Sequence, residues 1–398
     1  MRVAIIILAL LSITMADDDD YEDIPEYTKT PLGEQIDVST MKLLKAMHDQ
    51  SPEKNLVASP LSLMMVLSLY NEGAGPDTKS ELTKFLGGSD AKQTSDWYKK
   101  LSETFSKVDA DTLSVANKVS VSNKYTLDDK FAAVAREYHT EFDKLDFSKP
   151  AEAAAIINNW ASNKTKGHIP NPVSDDTLSP DTVAALFNVI FFNGHWHVPF
   201  KAEDTKEKDF HATKDNVVKK PMMHLLQPLY FTESKELGAK MVELPYKETG
   251  FRMVVVLPDK VDGLPSVLEK VADKGILTDV FNLGPIGSDV DFDMPKFDIR
   301  TSQDLNSVLR KVGVSKIYEE PATGIVKDAA VEVSTVFQEA FITVNEEGAT
   351  AGAFTGVVIV PVSSISEPPP PLKFTVDHPF MYAILHEDKI LFAGYYST

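Results

Sequence analysis

The chain from about residue 30 to residue 165 carries apolar residues at helical spacing. The residues that recur on one helix face near its start are Ile36, Met41, Leu44 and Met47. The run at 56–70 is nearly apolar all round, which predicts a helix in the core. Within it, Ser59 before Pro60 suits a helix start, because the serine oxygen can cap backbone amides and proline needs no amide partner there. Further helices are predicted at 95–108, 127–138 and 151–163.

Strand patterns dominate the second half of the chain. The predicted strands, each bounded by Gly, Pro or Asp, lie at 183–193, 241–244, 251–257, 290–297, 332–345, 374–375, 381–385 and 390–395. Helices followed by long strands indicate the α+β class. Because no linker, repeat or change of composition divides the chain after about residue 30, we expect one domain over 30–398.

The N-terminus has the pattern of an export signal followed by an acidic tail. Residues 1–16 combine Arg2, a short apolar stretch and a small-residue end at Ala16, which predicts a cleaved signal peptide and secretion. Residues 17–29 form the predicted disordered tail, in which 17–27 hold seven acidic side chains and two tyrosines. Two interpretations stay open: a solubilising tail, or an arm that docks on a basic exosite of a partner after sulfation of Tyr21 or Tyr27.

Composition excludes several classes of function. The 398 residues contain no cysteine, so disulfides, thiol nucleophiles and cysteine-ligated metals are excluded. A formal charge of -19 argues against nucleic-acid or anionic-membrane partners, because both require a positive surface. No later apolar run reaches about 18 residues, so no membrane span is expected.

Motifs for catalysis or cofactor binding are absent. The sequence has no Gly-x-Ser-x-Gly, no His-Glu-x-x-His and no phosphate loop, so we expect neither an enzyme nor a cofactor. His195 and His197 would share a face on a strand, yet no third ligand is evident and no metal site is expected. The one glycosylation sequon begins at Asn163, and the alternative to its use is an unoccupied site.

The most informative stretch is 344–363, VNEEGATAGAFTGVVIVPVS, which is unusually apolar for a loop. Alternate positions carry small or apolar side chains, as a strand with one buried face would. These positions are Ala349, Ala351, Ala353, Thr355, Val357 and Ile359. The segment therefore looks like a strand that is not yet paired, with the large Phe354 on the other face.

Over nearly the whole mature chain, the sequence resembles the serpin family of serine protease inhibitors. The matching residues include Ser59, Pro60, Ser62, Gly73, Gly75, Thr78, Asn158, Trp160, Thr165, Gly167, Asn188, Phe192, Gly194, Trp196, Phe200, Met222, Met223, Pro295, Lys296, Phe297, the stretch 344–348, Pro379, Phe380, Leu391, Phe392 and Gly394. Several positions depart from the family pattern: Gln338 stands where many members carry a histidine, Ala349 where Thr or Ser is common, and Tyr395 and Tyr396 alter the final strand.

The resemblance implies a fold of three β-sheets with eight or nine helices and an exposed reactive loop. It also implies suicide inhibition, in which a serine protease cleaves the loop and the loop then inserts into the main sheet with the protease attached. The implied hinge consists of Glu346, Glu347, Gly348, Ala349, Thr350, Ala351, Gly352 and Ala353. The implied polar cluster beneath the opening sheet consists of Ser59, Ser62, Asn188 and Gln338.

Family loop length places the cleaved bond between Val362 and Ser363, and the recognition residues would be Ile359, Val360 and Pro361. A small aliphatic residue after a proline suits an elastase-like protease, and no Lys or Arg occurs between Gly348 and Leu372 to anchor a trypsin-like enzyme. We expect a monomer with no cofactor. The alternatives are a non-inhibitory serpin acting as carrier or chaperone, and an inhibitor that uses its acidic tail to bind an exosite.

Overall fold

The computed structural model describes residues 31–174, 178–286, 288–333, 336–348 and 369–398. Within these ranges the chain forms nine α-helices: α1 (Pro31–His48), α2 (Pro60–Gly73), α3 (Pro76–Phe85), α4 (Ala91–Ser106), α5 (Asp129–Glu137), α6 (Pro150–Lys164), α7 (Leu264–Lys274), α8 (Leu277–Val280) and α9 (Asn306–Lys311). No helix in the described part of the chain combines the length and apolar character that a membrane crossing requires.

Sixteen strands lie in the same ranges: β1 (Leu56–Ala58), β2 (Leu113–Ser122), β3 (Thr140–Leu145), β4 (Ala184–Phe192), β5 (Lys206–His211), β6 (Val217–Gln227), β7 (Tyr230–Ser234), β8 (Ala239–Pro245), β9 (Phe251–Pro258), β10 (Gly284–Pro285), β11 (Val290–Pro295), β12 (Phe297–Asp304), β13 (Phe337–Val344), β14 (Leu372–Thr375), β15 (Phe380–His386) and β16 (Lys389–Tyr396). The mixture of helices and largely antiparallel sheets is the predicted α+β class.

The strands form four hydrogen-bonded groups. A seven-stranded sheet has the order β1-β16-β15-β9-β8-β7-β10, and a four-stranded sheet the order β14-β11-β6-β5. The remaining strands form a three-stranded sheet, β3-β2-β4, and a two-stranded sheet, β12-β13. The three predicted sheets are therefore present, with the last of them in two separate halves.

The helix α2 is shorter than the sequence predicts. The apolar run at 56–70 predicts a single helix, which is wrong for its first residues. These residues form β1, which pairs with β16 through Leu56↔Tyr395 and Ala58↔Ala393. Fully buried strands and buried helices look alike in such a run. The helix begins only after Ser59, whose Oγ accepts a hydrogen bond from the Ser62 amide, with Pro60 in the first turn.

Two predicted strands also have different limits. The strand predicted at 290–297 is two strands, because the chain leaves β11 after Pro295 and the Lys296 amide donates to Pro221 O. The strand predicted at 332–345 begins only at residue 337. Before it, the Val336 amide donates to the Asn306 side chain, which holds the chain away from a ladder.

Candidate functional site

The strands β4 and β13 turn unpaired edges toward each other. Along its other edge β4 pairs with β2, from Leu113↔Phe192 to Val121↔Ala184, and β13 pairs with β12. The two strands are neighbours, yet no ladder joins them in the described residues. We call the space between these two edges the slot. Unpaired backbone amides and carbonyls facing each other are a template for an additional strand.

A cavity of about 190 Å³ extends the slot below the sheet halves. Its walls come from both sides of the slot and from helices on its two faces, including Asn188 of β4, Gln338 of β13, Tyr70 of α2 and Trp160 of α6. Protein interiors are normally close-packed, so a cavity between two sheet halves marks a place where the structure can accept further side chains.

The start of α2 binds each half of the sheet separately. On the β13 side, the Gln338 Nε2 donates to Ser59 O at 2.8 Å and the Ser59 amide donates to Gln338 Oε1 at 3.0 Å. On the β4 side, the Ser62 hydroxyl donates to Asn188 Oδ1. The structure thus brings the four residues of the predicted polar cluster together under the slot.

Asn117 of β2 belongs to the same network, although its role was not predicted. Asn188 Nδ2 donates to Asn117 Oδ1 at 2.8 Å, and Asn117 Nδ2 donates to Tyr138 O at 3.1 Å. Its position directly opposite Asn188 in the β2–β4 register brings the two amides together. Only knowledge of that register could have revealed the contact.

Replacing Gln338 with Ala is expected to destabilise the native protein by about 2–4 kcal/mol, because the amide and the carbonyl of the buried Ser59 both lose their partner. Chemical denaturation measures this loss. The matched control is Gln303→Ala: Gln303 lies opposite Gln338 in the β12–β13 register, and its amide nitrogen donates to the exposed Gln50 side chain. Equal losses in the two variants would contradict a structural role for Gln338 beneath the slot.

The hinge begins in a tight turn at the top of β13. The amides of Glu347 and Gly348 both donate to Asn345 Oδ1, at 3.0 and 3.1 Å, and the Asn345 amide donates to Gly348 O. An asparagine side chain that accepts backbone amides in this way stabilises a turn. The chain therefore bends away from the slot directly after β13, before the residues outside the described part.

The segment after β4 holds this turn in place. The buried Trp196 donates through Nε1 to Asn345 O at 2.9 Å and through its backbone amide to Glu347 O at 3.0 Å. Its indole stacks on Tyr246 with centroids 4.5 Å apart. The Phe200 amide donates to Glu346 O at 2.8 Å. The bonds of the Trp196 and Phe200 amides to Glu347 O and Glu346 O must break if the turn unfolds to continue β13 into the slot.

Glu346 adds an ion pair to the same anchor. Lys296 Nζ lies 2.7 Å from Glu346 Oε2, and the Thr205 hydroxyl donates to Glu346 Oε1 at 2.8 Å. Partial burial opposes the charged form, but the hydrogen bonds from Lys296 and Thr205 outweigh it and hold the pKa of Glu346 below its usual value. The carboxylate is therefore charged at neutral pH and ties the hinge to the start of β12 and β5.

Gly348 fits closely against the backbone of residues 194–195. Its φ is +132°, in the region that favours glycine. A Cβ at this position would lie 2.2 Å from Gly194 O and 2.7 Å from His195 Cα. Backbone atoms cannot give way as flexible side-chain ends can, so the observed turn requires glycine here.

Several predicted residues lie outside the described part of the chain. They are the hinge residues Ala349, Thr350, Ala351, Gly352 and Ala353, the recognition residues Ile359, Val360 and Pro361, and the reactive bond Val362–Ser363. The signal peptide at 1–16 and the tail at 17–29 also lie outside it. Their assignments stay predictions, as does the boundary of the domain at residue 30.

Asn163 is exposed on the last turn of α6, so its side chain is accessible to a glycan. The third sequon residue, Thr165, is buried; its hydroxyl donates to Ala161 O at 2.7 Å and accepts from the Ile169 amide at 3.0 Å. Glycosylation of Asn163 stays a prediction.

The histidine pair singled out in the sequence does not form a cluster of three ligands. His195 Nδ1 lies 2.9 Å from Glu248 Oε1, and His197 is exposed on the segment after β4. In the described ranges, one group of three could hold a metal ion: His224, Asp291 and Asp293, with ligand atoms within 4.8 Å of one another. There Lys208 Nζ lies 2.6 Å from Asp293 Oδ1, so the charge of the buried carboxylate is already compensated.

Comparison with known proteins places this architecture in a family. A family model described as serpin (serine protease inhibitor) matches residues 35–398. Antichymotrypsin-2 of Bombyx mori is 32% identical over 358 residues, covering 89% of this chain and 95% of that protein. The leukocyte elastase inhibitor of Xenopus tropicalis is 29% identical over 369 residues, covering 89% of this chain and 96% of that protein.

Among solved structures, one described as cleaved Serpin 42Da matches with a TM-score of 0.82 and 26% identity, covering 92% of this chain and 98% of that one. The sequence resemblance, the family model and the arrangement of sheets agree over nearly the whole chain. The protein belongs to the serpin family of serine protease inhibitors.

Proposed function

We propose that this protein inhibits a serine protease as a suicide substrate, with its reactive loop inserting into the slot after cleavage. The observation that carries the proposal is the pair of unpaired edges of β4 and β13, which face each other between the three-stranded and the two-stranded sheets. The chain leaves β13 at the hinge, so the segment from Gly348 onward starts at the mouth of the slot.

The dimensions support insertion. Fifteen residues from Gly348 to Val362 would span roughly 50 Å as a strand, at ~3.3 Å per residue. The nine residues of β4 and eight of β13 offer edges along which much of that segment can pair. Burial of alternate small and apolar side chains would contribute about 5–10 kcal/mol, in addition to ladder hydrogen bonds.

The proposed target is an elastase-like serine protease, cleaving between Val362 and Ser363. Support comes from the aliphatic sequence Ile359-Val360-Pro361-Val362 and from the absence of Lys and Arg between Gly348 and Leu372. A relative named leukocyte elastase inhibitor points the same way. A shallow apolar primary pocket would accept Val362, whereas a trypsin-like pocket would be left with an unpaired buried charge.

We further propose that the protein acts outside the cell as a monomer. The signal-like residues 1–16 support export, and the exposed Asn163 in its sequon is compatible with glycosylation on that route. The lack of cysteine leaves the sheet without covalent cross-links that would oppose opening.

The proposal is tested by incubating the purified protein with an elastase-type protease and separating the products by denaturing electrophoresis. We expect a band at the summed mass of the protease and the cleaved inhibitor, because the acyl-enzyme is trapped before water attacks it. Catalytically inactive protease, with its nucleophilic serine replaced by alanine, is the control and should give no such band. Complete loop cleavage without a complex would instead favour a non-inhibitory carrier or chaperone.

A further inference from the structure

An imidazole ring bridges the two halves of the sheet across the slot. His168 stacks on Phe191 of β4 with centroids 5.0 Å apart and an interplanar angle of 21°. It also stacks on Phe341 of β13, at 5.5 Å and 23°. These are the separations of favourable aromatic pairs. We call His168 with Phe191 and Phe341 the clip.

The clip lies on the face of the slot opposite α2. Successive strand residues point to opposite faces, so Phe191 points away from the face of Asn188, three residues earlier on β4. Phe341 is likewise three residues after Gln338 on β13. Since Asn188 and Gln338 bind the start of α2 from one face, the two phenyl rings and the imidazole cover the slot from the other.

Contacts on both sides hold the backbone of His168 in this position. The buried Thr165 fixes the turn after α6 by its bonds to Ala161 O and the Ile169 amide. On the β13 side, Arg300 donates to His168 O at 2.8 Å while it pairs with Glu339 at 2.7 Å. On the β4 side, Lys166 pairs with Asp111 and lies over the Phe191 ring.

The clip lies where a further strand would have to enter, and β4 and β13 approach within 8 Å between Cα atoms in places. The centroid distances of 5.0 and 5.5 Å place the two phenyl rings at most about 10.5 Å apart. Strands with one strand between them lie roughly 9.5 Å apart, because neighbouring strands are ~4.7–4.9 Å apart. Insertion must therefore widen the slot, and the imidazole lies where outward-facing side chains of an inserted strand would lie.

We propose that His168 is a positioning residue that keeps the slot closed until the loop inserts, and that its displacement sets part of the barrier to insertion. The effect of His168 on inhibition rests on the proposed function. The coupling of β4 to β13 by the imidazole ring does not depend on any protease. Opening the sheet or adding a strand must break both stacks.

The test compares the wild type with His168→Ala, which removes the ring, and with His168→Phe, which keeps a ring able to stack. A synthetic peptide with the sequence of residues 348–361 is annealed to each protein, and uptake is followed by native electrophoresis. Hydrogen exchange of the β13 amides is measured without peptide. Exchange in β9 of the seven-stranded sheet is the internal control, because global destabilisation would accelerate it as well.

We expect His168→Ala to anneal peptide and exchange β13 amides about tenfold faster than the wild type, equivalent to about 1.4 kcal/mol, with β9 unchanged and His168→Phe close to the wild type. Wild-type rates in His168→Ala would overturn the clip, as would a Phe variant that behaves like the Ala variant. A wild type that forms no covalent complex with any elastase-type protease would overturn the proposed function, whereas faster β13 exchange in His168→Ala would still support the clip.

Discussion

Replacing Ala351 with Arg is expected to convert the protein from an inhibitor into a substrate. Ala351 belongs to the alternating set of small residues that would face the core after insertion. Burying an unpaired guanidinium there costs several kcal/mol, so insertion slows while deacylation of the protease continues at its own rate. We expect the covalent complex to disappear and the loop to be cleaved fully. Electrophoresis and the number of inhibitor molecules consumed per protease inactivated measure this change.

The matched control is Thr350→Arg, one residue earlier in the loop. Side chains at adjacent strand positions point to opposite faces, so this arginine would face solvent after insertion. We expect Thr350→Arg to keep most of the inhibition. Two variants that remain equally good inhibitors would show that the alternation of residues in 349–359 does not govern inhibition.

Replacing Gly348 with Ala is expected to release the hinge from its anchor. The new Cβ would meet the Gly194 carbonyl oxygen and His195 Cα, and a φ of +132° costs about 1–3 kcal/mol for a residue other than glycine. An extended strand in the slot would remove both problems, so the substitution favours the inserted state over the native one. We therefore expect a lower thermal unfolding midpoint for the native state of this variant. We also expect its inhibitory activity to fall gradually on storage.

The control for this variant is Gly313→Ala. Gly313 also has a positive φ, +91°, but an added Cβ there would meet no atom within 4 Å. The substitution therefore introduces backbone strain without separating the hinge from residues 194–195. Storage at the same temperature should leave Gly313→Ala fully inhibitory. If both variants lose activity at the same rate, the close contact at Gly348 does not hold the hinge.

The residues of the polar cluster could be identified from the sequence through the family resemblance. Ser59 and Pro60 also carry a local signal, because together they cap and start α2. The interpretation that the Gln338 amide serves as both donor and acceptor fits the observed pair of bonds to Ser59. Such a role is accessible from sequence because it depends on the chemistry of one side chain.

Several strands escaped prediction because their pattern is weak. The strand β2 is almost entirely buried, but its buried residues include the polar Asn117, Lys118 and Ser120. These polar residues interrupt the hydrophobic pattern from which a buried strand is predicted. Conversely, the sequence pattern predicts a helix at Leu56–Ala58, because a short apolar run next to a helix start carries no strand period of its own. Pairing with β16, more than three hundred residues later, determines its conformation.

The anchor of the hinge and the clip depend on contacts between distant parts of the chain. Lys296 and Glu346 are fifty residues apart in sequence, and His168 lies between β4 and β13 only because both strands pair with other partners. A single sequence gives no distance between such positions. The same holds for the slot, which consists of two edges that fail to pair.

The most direct test of insertion into the slot is the thermal unfolding midpoint before and after cleavage of the reactive loop by a protease that the protein does not inhibit. If the cleaved loop fills the slot between β4 and β13, the added burial and hydrogen bonds should raise the midpoint on the order of 10 °C. An unchanged or lower midpoint after complete cleavage would contradict insertion of the loop into the slot.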